Sequence, residues 1–316
     1  MSSSNRSYHK LNQILPSHRN CLYYIEYAAI HSFDDTLCFQ VSDKGKSKEI
    51  SIPHRNIAGL LLGPGTSITQ KAAQKMRESN LCAMFVTGNG GSPLLWTAPD
   101  EYRPSEYCRS FFKIFYDNDL RDNAAHLFML KRTDLVLKYW PKIIDDQKTL
   151  EDLKDICRTF NASVITKSGQ HLLLEEARFT KELYKLAANA FKIEGFSRQH
   201  AGQIDEANRM LNHGNYLAYG VSNIALYILG IPYSLSLIHG TTRRGALVFD
   251  VADLFKDALI LPHAFKAASE GMSEKEFRGT ILSNIDKHGI LATCLNTLKD
   301  AAMLADIPLE NPEIPF

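Results

Sequence analysis

The sequence predicts an α+β protein of two domains, a β-rich N-terminal domain over residues 1–100 and a larger all-helical domain over residues 101–316. Three observations carry this. From Cys21 through the run CAMFVTG, short stretches rich in β-branched and aromatic residues alternate with turn signals such as SFDD and SDKGK. Between Trp96 and Pro104 the strand signals stop. From Ser105 onward, apolar residues recur at helical spacing with charges around them.

Taken in order, residues 1–19 are a polar lead-in broken by Pro16. CLYYIEYAAI, TLCFQV, KEISI up to Pro53, and IAGLLLG then read as strands of a small, mostly antiparallel unit. Gly63-Pro64-Gly65 forces a tight turn, and Thr66 or Ser67 suits the N-cap of the helix that follows. A phosphate loop of the Walker type needs GK[ST], which this turn lacks. CAMFVTG reads as another strand and GNGGSPL as a Gly-rich loop. One long helical stretch spans residues 106–140, and a polar connector leads to a shorter helix near 150–159. HLLLEEARFTKELYKLAANAF is helical, and the small-residue-rich LNHGNYLAYGVSNIALYILG is a buried helix. The last helices fall near 263–270, 273–287 and 289–304, before a proline-broken tail.

Composition excludes more than it selects. The chain is 45% hydrophobic and 22% charged with a net charge of +1, so any nucleic-acid surface must be a local patch. Cys21, Cys38, Cys82, Cys108, Cys157 and Cys294 form no CxxC pair. No secretory signal begins the chain and no apolar run reaches membrane-spanning length. These features read as reduced thiols in the cytoplasm, no zinc cluster and no membrane.

The richest stretch runs from His239 to Pro262, HGTTRRGALVFDVADLFKDALILP. On a helix, Asp250, Asp253 and Asp257 share one stripe, opposite Leu247, Val251, Leu254, Ala258 and Leu261. Stacked carboxylates repel, so they need a cation: Arg243, Arg244, Lys256 or a divalent metal. Removing one carboxylate is expected to relieve that repulsion. A solvated acidic face and a hard-metal site both fit, and a metal site needs a further acid from elsewhere in the chain. Glu175 and Glu176, in a helix buried over much of its circumference, offer one. An HD-type phosphohydrolase is excluded, since the chain has no adjacent His-Asp pair.

LLLGPGTSIT, EEARFTKELY, LNHGNYLAYG, IPYSLSLIHG and LVFDVADLFKD, in this order and over almost the whole chain, resemble the CRISPR-associated integrase, the first of the numbered Cas proteins. EYRPSEY and TTRRGALVFDVAD are similar to its subtype I-F members. The resemblance implies a metal-dependent DNA endonuclease and integrase that inserts spacers into the CRISPR array. Its alternative is a DNA-binding scaffold without catalysis. It implies Mg²⁺ or Mn²⁺ held by Glu176, His239 and Asp253, with Asp250 also catalytic. Glu176 stands eight residues before Tyr184, as in the family. Asn212 and Asn215 read as caps or orienting groups, and Asp257 as a supporting or surface residue. The implied partners are double-stranded DNA (prespacer and CRISPR repeat), a second copy joined through the β-rich domain, and the second-numbered Cas protein fused to a helicase-nuclease. Arg243 and Arg244, between His239 and Asp250, are the expected DNA-phosphate contacts.

Overall fold

The computed structural model describes residues 19, 21–43, 46–86, 94–96, 105–199, 204–240 and 245–306. Within them, strands occupy the N-terminal part and helices the rest. The strands are β1 Leu22–Ile25, β2 Ala29–Phe33, β3 Thr36–Asp43, β4 Lys46–Ile52, β5 Gly59–Leu62, β6 Ser67–Ile68, β7 Cys82–Phe85 and β8 Leu94–Trp96, with helix α1, Gln70–Glu78, between β6 and β7. They form two sheets, ordered β1-β5-β7-β8 and β4-β3-β2-β6.

The first sheet corrects the antiparallel expectation. β1, β5 and β7 run parallel, and α1 is the crossover between β5 and β7. Parallel pairing requires such a crossover, and it buries both faces of the sheet. Accordingly all four residues of β5 are buried. Leu60 and Leu62 pack with α1 and the second sheet, whereas Leu61 joins the helical core. CLYYIEYAAI is likewise not one strand: β1 and β2 belong to different sheets, and Tyr27 between them takes a φ of 48°. The cap of α1 is Thr69, whose hydroxyl accepts from the Ala72 amide, because Ser67 and Ile68 pair with β2 instead. GNGGSPL lies almost wholly outside the described residues, and the lead-in before Arg19 wholly so.

The helices are α2 Ser105–Tyr116, α3 Asn118–Tyr139, α4 Gln147–Thr166, α5 Gly169–Ala190, α6 Glu206–Leu229, α7 Ala246–Phe255, α8 Leu261–Glu270, α9 Glu274–Lys287 and α10 Ile290–Met303. The stretch read as one helix over 106–140 is two. Asp117 accepts from the amides of Asp119 and Leu120 and starts a new helix there. A 3₁₀ turn, Trp140–Lys142, ends α3. α4 is longer than expected, running from its Asp146 cap to Thr166. A π-turn, Lys256–Ile260, joins α7 to α8 without a loop.

α6 is the axis of the helical part. Most of its residues are buried, and Gly230 ends it in the left-handed conformation. It lies directly on the first sheet: a Cβ at Gly220 would meet Leu61 Cδ2 at 2.9 Å, and one at Gly59 would meet Ile224 Cδ1 at 2.6 Å. A side chain at either glycine would force Leu61 or Ile224 to shift.

Burial on α8 has a consequence for stability. His263 is pushed down to about 4 by burial and then by the Lys266 charge. Its folded pKa lies below the unfolded value near 6.5, so its contribution is complete above pH 6.5 and is lost as pH falls from 6.5 toward 4. About 3 kcal/mol should disappear over that window. Urea denaturation between pH 7.5 and 4 should show a steeper loss in the wild type than in His263→Gln; equal slopes would refute this.

Candidate functional site

The site is built where the loop after α6 meets α7. Asp250 sits midway along α7 and is 1% exposed. Its carboxylate accepts from the backbone amides of Leu237 (2.7 Å), Ile238 (3.3 Å) and His239 (3.2 Å). It also holds His239 Nδ1 at 2.6 Å. Four contacts to one carboxylate fix both the loop and the ring. With Nδ1–H donating to Asp250, the neutral imidazole keeps its lone pair on Nε2, which faces Asp253 Oδ2 at 3.8 Å. Burial opposes protonation of His239, but the hydrogen bond to Asp250 and the charges of Asp253, Asp250 and Glu176 outweigh it and raise its pKa.

All three aspartates of the stripe are buried, so the face is not solvated, and cations stand against it. The Lys256 ammonium, three residues on, donates to Asp253. Burial would raise the Asp253 pKa, yet Lys256, Arg132 and His239 hold it below the usual carboxylate range. Lys256 itself stays charged because Asp253 and its neighbours overcome the burial that favours its neutral form. Asp253 still repels Asp257, but Lys256 and Arg132 oppose that repulsion, so removing the Asp253 carboxylate also strips Lys256 of its partner.

The residue that sequence reasoning missed is Arg132. It is 2% exposed, in the middle of α3. Nε donates to Asp257 at 2.8 Å, Nη1 to Glu176 at 2.8 Å, and Nη2 to Thr180 at 2.7 Å and again to Asp257. Burial disfavours the charged guanidinium, and the carboxylates of Asp257, Glu176 and Asp253 more than offset this. Asp257, read as a supporting or surface group, is a buried counter-ion, and its backbone carbonyl accepts from Trp140 Nε1 at 2.8 Å. A signal was present: Arg132 occupies the apolar stripe of Ala125, Phe128, Met129, Val136 and Tyr139.

Thus His239, Asp250 and Asp253 come together, and Arg132 ties Glu176 to Asp257, the third aspartate of the same stripe. Among the described residues, no three or more His, Cys, Asp or Glu are grouped to hold a metal ion as they stand. Glu176 and Lys256 both line a cleft of about 1220 Å³ between α5, the segment 193–198 and α6. Lys181, Lys185, Lys192 and Arg198 make that cleft cationic, and Asn215 and Tyr219 lie on its α6 wall. Asn212 accepts from Arg198 Nη2 at 2.7 Å. Tyr184, also on the cleft wall, has its hydroxyl pKa raised by burial. Arg243 and Arg244 lie outside the described residues.

Fold and centre together define an α+β protein with a carboxylate–imidazole centre beside a basic cleft. Residues 22–283 match the family model of CRISPR associated protein Cas1, and the chain belongs to that family. It is 38% identical over 320 residues to the CRISPR-associated endonuclease Cas1 of Pseudomonas aeruginosa (strain UCBPP-PA14), covering 94% of this chain and 97% of that one. It is 36% identical over 312 residues to the same-named protein of Pectobacterium atrosepticum, covering 92% and 95%. Solved structures share the fold: a CAS1 protein from Thermotoga maritima (TM-score 0.70, 13% identity, 90% of this chain and 96% of that one); a casposase bound to integration product (0.67, 16%, 93% and 94%); and a TtCas1–DNA complex (0.65, 21%, 93% and 95%). Among the described residues no helix is long and apolar enough to cross a membrane.

Proposed function

We propose that this chain is the integrase of CRISPR spacer acquisition, joining the 3′-hydroxyl of a DNA end to a phosphodiester of the repeat. One observation carries the reading: Asp250 fixes His239 through Nδ1 so that Nε2 faces Asp253 beside a basic cleft. This donor set suits a hard divalent cation such as Mg²⁺ or Mn²⁺. The Lys256 ammonium already sits on Asp253, so this carboxylate accepts a cation in the fold. Glu176 would complete the set by turning from Arg132. A metal held by Glu176, His239 and Asp253 would supply Lewis-acid stabilisation of charge on the phosphate.

The chain's own residues do the rest. Asp250 orients His239 and sets its tautomer. Lys181, Lys185, Lys192 and Arg198 bind phosphates without reading sequence, as a substrate of arbitrary sequence requires. The incoming 3′-oxygen forms one P–O bond as the departing 3′-oxygen gives up another, so the exchange needs no external energy source. The hydroxyl loses its proton and the leaving oxygen takes one up. Arg243 and Arg244 belong to the same phosphate path in this reading. TtCas1, a protein of the same fold, is solved in complex with DNA, which supports DNA as substrate.

The proposal extends to subtype I-F, to a homodimer formed through the β-rich part, and to assembly with the second-numbered Cas protein fused to a helicase-nuclease. Exposed Tyr23, Tyr27 and Phe33 on the β-rich part are apolar surface that a second copy would cover. Sedimentation at micromolar concentration should show a dimer, and a monomer would defeat that part.

A second reading, a DNA-binding scaffold without catalysis, is favoured by one feature: Lys256 and Arg132 already occupy Asp253 and Glu176. Strand transfer of a labelled duplex into a repeat-containing plasmid decides between them. The integrase reading expects transfer with Mn²⁺ or Mg²⁺ and none in chelator. DNA binding with no transfer under any metal, partner protein included, supports the scaffold.

A further inference from the structure

A second cavity, of about 520 Å³, opens between the C-terminal end of α3, α8 and α9, and shares no lining residue with the basic cleft. Lys142 from the 3₁₀ turn, Lys266 from α8 and Lys287 from the end of α9 line it, and no carboxylate does, although Glu270, outside the lining, lies 3.9 Å from the Lys266 ammonium. The His288 and Tyr139 rings lie against each other on one side, tilted by 38° with centroids 4.6 Å apart. Lys142 and Lys138 already sit over the Tyr139 ring at 4.8 and 5.2 Å. The local potential is therefore strongly positive, and His288 registers it: burial first, then Lys142, Lys287 and Lys138, lower its pKa.

His263 on the cavity wall adds a separate clue. The Asn284 Nδ2 group gives one hydrogen to the Thr280 carbonyl at 2.8 Å and directs the other at His263 Nε2, at 3.2 Å. Nε2 is then the acceptor, so the neutral ring carries its proton on Nδ1. That donor is buried without an acceptor among the described residues. A buried N–H donor lacking an acceptor, in the wall of a cavity lined by three lysines and no carboxylate, calls for an anion's oxygens.

We infer that this cavity is a phosphate-binding pocket. Three cationic donors approaching from three different elements suit an anion with three or four diverging oxygens. A carboxylate presents only two, in one plane. The phosphate belongs either to a nucleic-acid backbone or to a free nucleotide or phosphate ion. The inference does not rest on the integrase reading.

Thermal unfolding of the full chain tests it, comparing sodium phosphate with sodium chloride at equal ionic strength, and then deoxyadenosine monophosphate. Phosphate at about 100-fold above its Kd should raise the midpoint of the wild type by about 5 °C. In Lys142→Gln/Lys266→Gln/Lys287→Gln the rise should vanish, while the midpoint in chloride stays that of the wild type. Glu176→Gln/Asp253→Asn should keep the rise, which separates this pocket from the metal centre. A phosphate effect equal to chloride, or equal in wild type and triple variant, overturns the proposal. A second arm finds the source by measuring duplex DNA affinity against salt. If the triple variant flattens the log–log slope by about 2–3, the phosphates belong to the DNA backbone, since each contact contributes about 0.9. An unchanged slope with the phosphate rise abolished makes the ligand a free nucleotide or phosphate.

Discussion

Arg132→Met should lower folding stability by about 3–5 kcal/mol, the range for breaking a buried ion pair by removing one partner. The variant keeps the volume and apolar character of the stripe, so the loss isolates the charge. Asp257 bears the consequence, because it is 1% exposed and would keep a buried carboxylate without its guanidinium. Glu176, on the wall of the cleft, would be rehydrated and lose less. Arg132→Met/Asp257→Leu should recover most of the loss, since replacing both members of a buried pair with apolar groups is often close to neutral. Guanidinium denaturation of the four proteins of this cycle measures it. A loss below about 1 kcal/mol in the single variant would show that the network is not the tie between α3, α5 and the π-turn. Activity gives an independent readout. The double variant should refold yet hold Glu176 less well, so metal-dependent strand transfer should stay depressed although stability returns.

The second large effect concerns Asp253→Asn. Strand transfer should fall by about 10³-fold or more, which corresponds to about 4 kcal/mol of lost transition-state stabilisation. Stability without metal should also fall, by about 1–3 kcal/mol, because Lys256 would lose the carboxylate its buried ammonium donates to. Repulsion among the aspartates, taken alone, predicts a gain instead, so the sign of the change tests the packing directly. Asp253→Asn/Lys256→Met should regain stability and remain inactive. If Asp253→Asn retains wild-type transfer, Asp253 is not part of the centre. Asp250→Asn makes a useful contrast. It loses the anion that orders the Leu237–His239 amides, and transfer should drop by about 10- to 100-fold, the usual effect of removing a group that orients a ligand.

Local sequence was enough for the elements whose shape depends on neighbours in the chain. The helical period of α5, α6, α8, α9 and α10 is written in their apolar spacing, and α6 stops at Gly230 because a left-handed residue is easiest there for glycine. The aspartates of α7 fell on one stripe because 250, 253 and 257 are helical neighbours. That Glu176, His239 and Asp253 form one set was legible only through motifs, since nothing in local spacing brings α5 to the loop before α7. Tertiary structure decided everything that depends on who arrives from elsewhere. β5 and β7 became parallel through the α1 crossover, and β1 and β5 through the excursion of β2–β4 into the second sheet, because a strand's own residues do not specify its partner's direction. Asp257 became a counter-ion only when Arg132, 125 residues earlier, met it across the α3 interface. Arg132 carried a legible warning, a charge in an apolar stripe, because a buried guanidinium must find carboxylates. Which carboxylates it would find is a property of the packed core, where desolvation makes pairing obligatory and geometry chooses the pair.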